Sequence, residues 1–218
     1  MSETRTVHVT GKGMIRLKPD TVRVAMTLEG MEPDYAETLR RSAADTERIR
    51  SALIEAGFSR EELKTRNFNV QTEYEGYQED GVYRQRLVGY RFIHELEIEF
   101  PWDNERLGAV LNAITDAALS PNLRISYTVK DREAAKNALL GLAVADAKAK
   151  AEALTAAAGV KLLDVLQINY AIGENEFAVH PVLYAGAARK MCADNAAPEI
   201  VPEEITAEDT VTIVWAIE

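Results

Sequence analysis

The segment that decides the fold is residues 131–160, which read DREAAKNALLGLAVADAKAKAEALTAAAGV. Asp131 is a residue type that caps helix N-termini, and Gly159 stands where helices commonly end. Alanine dominates the residues between them and favours a helix, because it loses the least side-chain freedom there. Its small side chain also allows another backbone to approach closely, and we expect Ala149 and Ala153 to lie on the packed face. The segment therefore predicts a long helix packed tightly against a sheet or a second helix.

Alternating apolar residues predict strands on both sides of this helix. They lie at residues 123–129 before it, and at residues 160–168 and 211–217 after it. Between the last two, residues 173–206 mix small, proline and acidic types. A segment this long without regular structure is usually functional or mobile inside a compact domain.

The N-terminal part of the chain predicts two further strands. Residues 7–17 alternate as an extended segment in which Gly11 and Gly13 allow a bulge or a close backbone approach. Pro19 supplies a turn, and residues 22–28 alternate again. We expect these two strands to form a hairpin with one buried face.

A helix and a longer hairpin follow along the chain. The helical period begins after Pro33, which suits a first turn, and ends before Gly57. Residues 63–100 predict a second hairpin whose centre is a polar, tyrosine-rich loop. Asp103 is placed to cap a second helix.

The order of these elements predicts an α+β fold. Its centre is a βαββαβ unit, the pattern in which helices lie on one face of an antiparallel sheet. We expect an antiparallel-rich sheet of about seven strands, with three helices packed largely on one face. The whole chain, residues 1–218, is predicted to be a single domain with an irregular insertion at about 173–206.

Composition restricts the classes of partner. The chain is 47% hydrophobic and carries a formal net charge of −10, a field that repels phosphate backbones, so no nucleic-acid partner is expected. The single cysteine, Cys192, excludes an intramolecular disulfide. No apolar run approaches the roughly 20 residues that span a bilayer, so no transmembrane segment is expected.

The first residues lack the basic start and apolar run of a secretory signal. We expect a cytoplasmic location for the chain as it stands, and a periplasmic or extracytoplasmic one if a leader has been removed.

Motifs that carry known chemistry are incomplete in this sequence. A glycine pair at Gly11 and Gly13 is followed by a strand and a proline turn, where a dinucleotide loop needs a third glycine and a helix. His94 opens a zinc-protease motif, but Ile98 stands at the second histidine position. A thiol near Arg189 and Lys190, that of Cys192, is favoured as a spectator over a reactive group. We therefore predict no catalytic, cofactor-binding or metal-binding residues and no cofactor.

One group of residues is a candidate partner surface. Tyrosine and arginine are enriched at interaction hot spots, and both types gather in the predicted tyrosine-rich loop. The candidate residues are Tyr74, Tyr77, Tyr83, Arg84 and Arg86. The alternative is a solvated, mixed-charge hairpin that packs on itself.

Several segments together resemble the SIMPL-domain family, a family of unknown function that includes bacterial periplasmic immunogenic proteins and proteins associated with oxidative stress. The matching segments are residues 7–13 (VHVTGKG) with 18–20 (KPD), residues 64–70 (KTRNFNV) with Tyr74 and 88–90 (VGY), and residues 143–154 (AVADAKAKAEAL) with 158–160 (AGV). The resemblance implies a single α+β domain, rings or larger homo-oligomers in some members, and links to envelope biology, stress tolerance or signalling. It implies no agreed catalytic residue.

Two hypotheses about function follow from the sequence. The first is a non-enzymatic binding or assembly module that self-associates into a homo-oligomer, with any other protein partner unknown. The alternative is a small-ligand binder or an unfamiliar enzyme whose site lies near residues 173–206, where His180, Tyr184 and Cys192 would converge.

Overall fold

The computed structural model describes residues 5–170, 177–180 and 201–218, and these form an α+β fold with three helices and eight strands in two antiparallel sheets. The predicted fold class is confirmed. In chain order the elements are β1 (Thr6–Leu17), β2 (Thr21–Glu32), α1 (Tyr35–Glu55), β3 (Leu63–Glu79), β4 (Val82–Pro101), α2 (Asn104–Asp116), β5 (Asn122–Thr128), α3 (Arg132–Ala158), β6 (Leu162–Asn169), β7 (Ala178–Val179) and β8 (Ile205–Ile217).

The chain divides into two compact units. The first comprises residues 1–20, 128–179 and 203–218, and the second comprises residues 21–127 and 180–202. The expectation of a single domain over residues 1–218 stays a prediction.

The first unit is a three-stranded sheet in the order β1-β8-β6, against which α3 packs. As predicted, α3 begins at the Asp131 cap, whose carboxylate accepts from the Ala134 amide, and ends at Gly159 with φ of 69°. Its fully buried alanines are Ala143, Ala147 and Ala151.

The prediction that Ala149 and Ala153 lie on the packed face is wrong, because both are exposed. Alanine occupies so many positions of α3 that its pattern does not indicate which side faces the sheet.

Two glycines of β1 explain how closely α3 approaches. A Cβ added at Gly11 would overlap the carbonyl oxygen of Ala143, and one at Gly13 would overlap that of Leu139. The predicted close backbone approach is confirmed, while the strand itself runs without interruption through both glycines.

The predicted hairpin of the first two strands is wrong. β1 pairs along its whole length with β8, from Thr6 opposite Ala216 to Leu17 opposite Ile205, whereas β2 pairs with β4. The turn at Pro19 and Asp20 leads from one sheet into the other. Alternation correctly indicated that each strand has a buried face, but it carries no information about the pairing partner.

The second unit contains β3, β4, β2 and β5 in that spatial order, with α1 packed on β2 and β4 and in contact with α2. Pro33, predicted to suit the first turn, precedes α1. Asp34 caps the helix, and its carboxylate accepts from two amides of the first turn. After the helix, Gly57 has a φ of 89°, which suits glycine best. As predicted, Asp103 caps α2.

The two faces of this sheet differ in chemistry. One face carries fully or almost fully buried apolar side chains beneath the helices, among them Val24, Met26, Leu96 and Ile98. The opposite face carries Arg23, Glu95, Glu97 and Glu99, because successive side chains of a strand point to opposite faces.

The irregular segment predicted at about 173–206 lies largely at residues 171–176 and 181–200, outside the described residues. Within it the structure describes β7, and β8 begins at Ile205. In the part of the chain that is described, no helix is both long enough and apolar enough to cross a membrane.

Candidate functional site

The hairpin of β3 and β4 is longer than the sheet to which it belongs. β2 pairs with β4 only from Tyr90, opposite Glu32, to Pro101. Among the described residues, the remainder of β4 pairs with β3 alone, so residues 73–89 form a two-stranded extension, here called the arm. The tyrosine-rich segment predicted as a loop is therefore regular strand.

A two-residue turn closes the arm. Asp80 and Gly81 both have positive φ, 53° and 77°, as a type I′ hairpin turn requires. Asp-Gly between two strand-forming segments is a strong sequence signal for a tight hairpin turn. In this sequence it favours a continuous hairpin over the predicted loop.

One face of the arm carries no charged side chain. The register places Tyr74 opposite Leu87, Gly76 opposite Gln85 and Gln78 opposite Tyr83, and these six side-chain positions share this face. Its large side chains are exposed: Tyr74 by 57%, Tyr83 by 73% and Leu87 by 48%.

Glycine is needed at one position on this face. The ring of Tyr83 lies over Gly76, and a Cβ there would overlap the phenol oxygen. The charge-free face is thus built around a tyrosine ring laid across the backbone of the opposite strand.

The other face of the arm is charged and internally paired. Arg86 lies 2.6 Å from Glu75, and Arg84 lies 3.1 Å from Glu79. The Arg86 guanidinium also lies 5.9 Å from the centre of the Tyr77 ring. The Glu75 carboxylate, by accepting a hydrogen bond, raises the pKa of Arg86.

The structure places all five predicted partner residues on the arm, but they lie on two different faces of it. Tyr74 and Tyr83 lie on the charge-free face, whereas Tyr77, Arg84 and Arg86 lie on the charged face. Because both arginines already have carboxylate partners within the arm, the charge-free face is the better candidate for contact with another molecule.

His94, singled out in the sequence, lies between β4 and α1. Its Nδ1 is 3.0 Å from the Thr46 hydroxyl, which donates to the Ser42 carbonyl oxygen, so this ring nitrogen is the donor of the pair. Its Nε2 lies 2.9 Å from the Thr65 hydroxyl oxygen and, in the neutral ring with the proton on Nδ1, accepts from that hydroxyl. Burial, and secondarily the charge of Arg50, lowers the pKa of His94.

The His94 contacts hold a neutral ring between a helix and a sheet, and both ring nitrogens are occupied. Among the described residues no group of three or more histidine, cysteine, aspartate or glutamate side chains is placed to hold a metal ion. Tyr184 and Cys192 lie outside the described residues.

A charged cluster on the helix-free face of the second sheet was missed by sequence reasoning. Glu97 lies 3.2 Å from Arg66 and 3.7 Å from Arg23, and its side chain is only 11% exposed. A cleft of about 270 Å³ lies beside it. The charged groups come from different strands, so no local motif in the sequence indicates them.

The comparison with known families covers both units of the chain. The family model for SIMPL, described as a protein of unknown function (DUF541), matches residues 7–215. The chain belongs to the SIMPL family. No curated protein matches it. The family description assigns no function, so the exposed surfaces of this SIMPL protein are the features that bear on its function.

Proposed function

We propose that this SIMPL protein is a non-enzymatic assembly module that self-associates through the charge-free face of its arm. The observation that carries the proposal is a two-stranded ribbon that extends past the sheet while exposing Tyr74, Tyr83 and Leu87 on one face. Two-stranded hairpins are at best marginally stable in water, and further strands or packing partners stabilise them. Contact with a second molecule would provide this stabilisation.

A second copy of the chain is the occupant that the uncharged chemistry of this face favours. Each copy has a formal net charge of −10, so two copies repel each other at long range, and a contact surface without charged side chains adds no local repulsion and no desolvation of charge. The charge-free face meets this condition, and the amides of Gln78 and Gln85 each offer both donors and acceptors to an identical face. Tyrosine supplies large contact area with one polar atom, which is why it is enriched at interfaces.

A matched pair of substitutions on β4 tests the proposal. Leu87 and Val82 are exposed aliphatic residues, 48% and 56%, on the charge-free and the charged face respectively. We expect Leu87→Lys to convert the oligomer to smaller species in sedimentation velocity, because it places a charge in the contact. Val82→Lys leaves the distribution as in the wild type.

A wild-type protein that remains monomeric at high concentration contradicts the proposal, and so does equal loss of association in both variants. Far-ultraviolet circular dichroism of each variant shows whether the fold is retained. A role in stress tolerance or in the cell envelope remains an expectation from the family resemblance.

A further inference from the structure

The cleft on the helix-free face of the second sheet has walls from four strands. Ala25 and Thr27 of β2 lie between charged residues of β3 and β4 on one side and residues of β5 on the other. The lining residues are Ala25, Met26, Thr27, Arg66, Glu95, Leu96, Glu97, Asn122 and Arg124. Small side chains on the central strand leave the space open, and longer polar side chains surround it.

Arg66 reaches this cleft through a local irregularity of β3. The pairing register shifts between Thr65, opposite Leu96, and Asn67, opposite Glu95, so Arg66 is an extra residue in the strand. Such bulges redirect a side chain, and they are over-represented next to functional sites. Here the extra residue forms an ion pair with Glu97.

The charged side chains of the cleft are of two kinds, those with an ion-pair partner and those without one among the described residues. The Glu97 carboxylate pairs with Arg66, which also lines the cleft, and lies 3.7 Å from Arg23, which is outside the lining and pairs more closely with Glu99. Arg124 and Glu95 also line the cleft, and neither has an ion-pair partner in residues 5–170, 177–180 and 201–218. Within the part of the chain that the structure describes, an exposed guanidinium and an exposed carboxylate without ion-pair partners therefore line the same cleft.

We propose that this cleft binds a small zwitterion of the free α-amino acid class. The ligand carboxylate contacts Arg124 and the ligand ammonium contacts Glu95, because each unpaired group then gains a charge-assisted hydrogen bond. The Asn122 amide offers a further hydrogen bond to either ligand group. A volume of about 270 Å³ is sufficient to hold one free amino acid.

This inference does not depend on self-association, because the cleft and the arm use different residues. It gives the small-ligand alternative a specific place on the second sheet, distinct from the segment at residues 173–206.

The test is isothermal titration calorimetry of the full chain with each of the common L-amino acids. We expect saturable binding of at least one with a dissociation constant below about 1 mM. For that amino acid, the N-acetyl form, which lacks the ammonium, and the carboxamide form, which lacks the carboxylate, are expected to bind at least about tenfold more weakly.

Four substitutions complete the test. Arg124→Gln and Glu95→Gln are each expected to weaken binding at least about tenfold, since each removes one charged partner. Arg91→Gln and Glu29→Gln are matched controls, because both residues lie on the same sheet face but do not line the cleft, and they leave the affinity unchanged.

Three outcomes overturn the proposal: no binding of any free amino acid, undiminished binding of either capped form, or equal effects of the cleft and control substitutions. Thermal unfolding of each variant shows that a change in affinity does not come from loss of the fold.

Discussion

β1 and α3 approach each other closely at single residues. Gly11 leaves no space for a Cβ beside Ala143, and the Lys12 amide beside it donates to the Asp146 carboxylate at 2.7 Å. The Lys150 ammonium, the larger cause, and this amide together lower the pKa of Asp146. A glycine of β1 and an acid of α3 thus fix the distance between the strand and the helix.

Gly11→Ala is expected to destabilise the protein by about 1–3 kcal/mol, because its Cβ forces the α3 backbone away from β1. Gly141→Ala is the control, since a Cβ there meets nothing within 4 Å and alanine favours the helix by about 1 kcal/mol. Urea unfolding measures both. Equal midpoints for the two variants would contradict the close packing.

The neutral ring of His94 predicts how stability depends on pH. Burial lowers the folded-state pKa of His94 below its ordinary 6.5, so the unfolded chain binds this proton first as pH falls. The contribution is fully present above pH 6.5 and is lost as pH falls below it. Urea midpoints at several pH values between 7 and 5 are therefore expected to fall less steeply in His94→Gln than in the wild type. Parallel slopes would show that the ring is not held neutral.

The element whose packing the sequence left undecided is α3. Its buried positions recur every four residues, at Ala135, Leu139, Ala143, Ala147, Ala151 and Thr155. Alanine also fills exposed positions of the same helix, so hydrophobic periodicity does not distinguish the two sides. The caps at both ends, in contrast, are read from local residues and were predicted correctly.

Substitutions in α3 distinguish its faces. Ala147→Leu is expected to destabilise by about 1–3 kcal/mol through overpacking, because Ala147 is fully buried against the sheet. Ala149→Leu, at an exposed position of the same helix, changes stability by less than about 0.5 kcal/mol. Denaturant midpoints compare them. A loss at Ala149 as large as at Ala147 would place the packed face on the wrong side.

At the scale of the whole molecule, the family match includes residues of both compact units. The second unit contains one uninterrupted stretch of chain, residues 21–127. Its core draws on strands and helices within that stretch, including Val24, Ile49, Ile98 and Leu107. The arm and the cleft also belong to this stretch. Both proposals can therefore be examined apart from the first unit.

We expect a fragment of residues 21–127 to fold cooperatively when produced alone, because β2 and β3 both pair with β4 within it and α1 packs there on β2, β4 and α2. Thermal circular dichroism and dispersed amide signals in nuclear magnetic resonance measure this. The fragment is also expected to self-associate in sedimentation velocity. A fragment without a cooperative transition would show that the first unit is required for its stability.

The sequence by itself indicated the family, the three helices, most of the strands and the caps at three helix ends. Helices and their caps are indicated locally because they depend on neighbours within a few positions. Asp103, Asp131 and Gly159 are read in this way. Only the tertiary structure decided that β1 pairs with β8, that Ala147 faces the sheet, that the arm has one charge-free face, and that Glu97 joins arginines from two other strands. The pairing of β1 with β8 and the Glu97 ion pairs depend on residues distant in the chain, which local periodicity does not indicate. Alanine on both sides of α3 leaves its packed face undetermined, and the two faces of the arm follow from a strand register that a loop does not have.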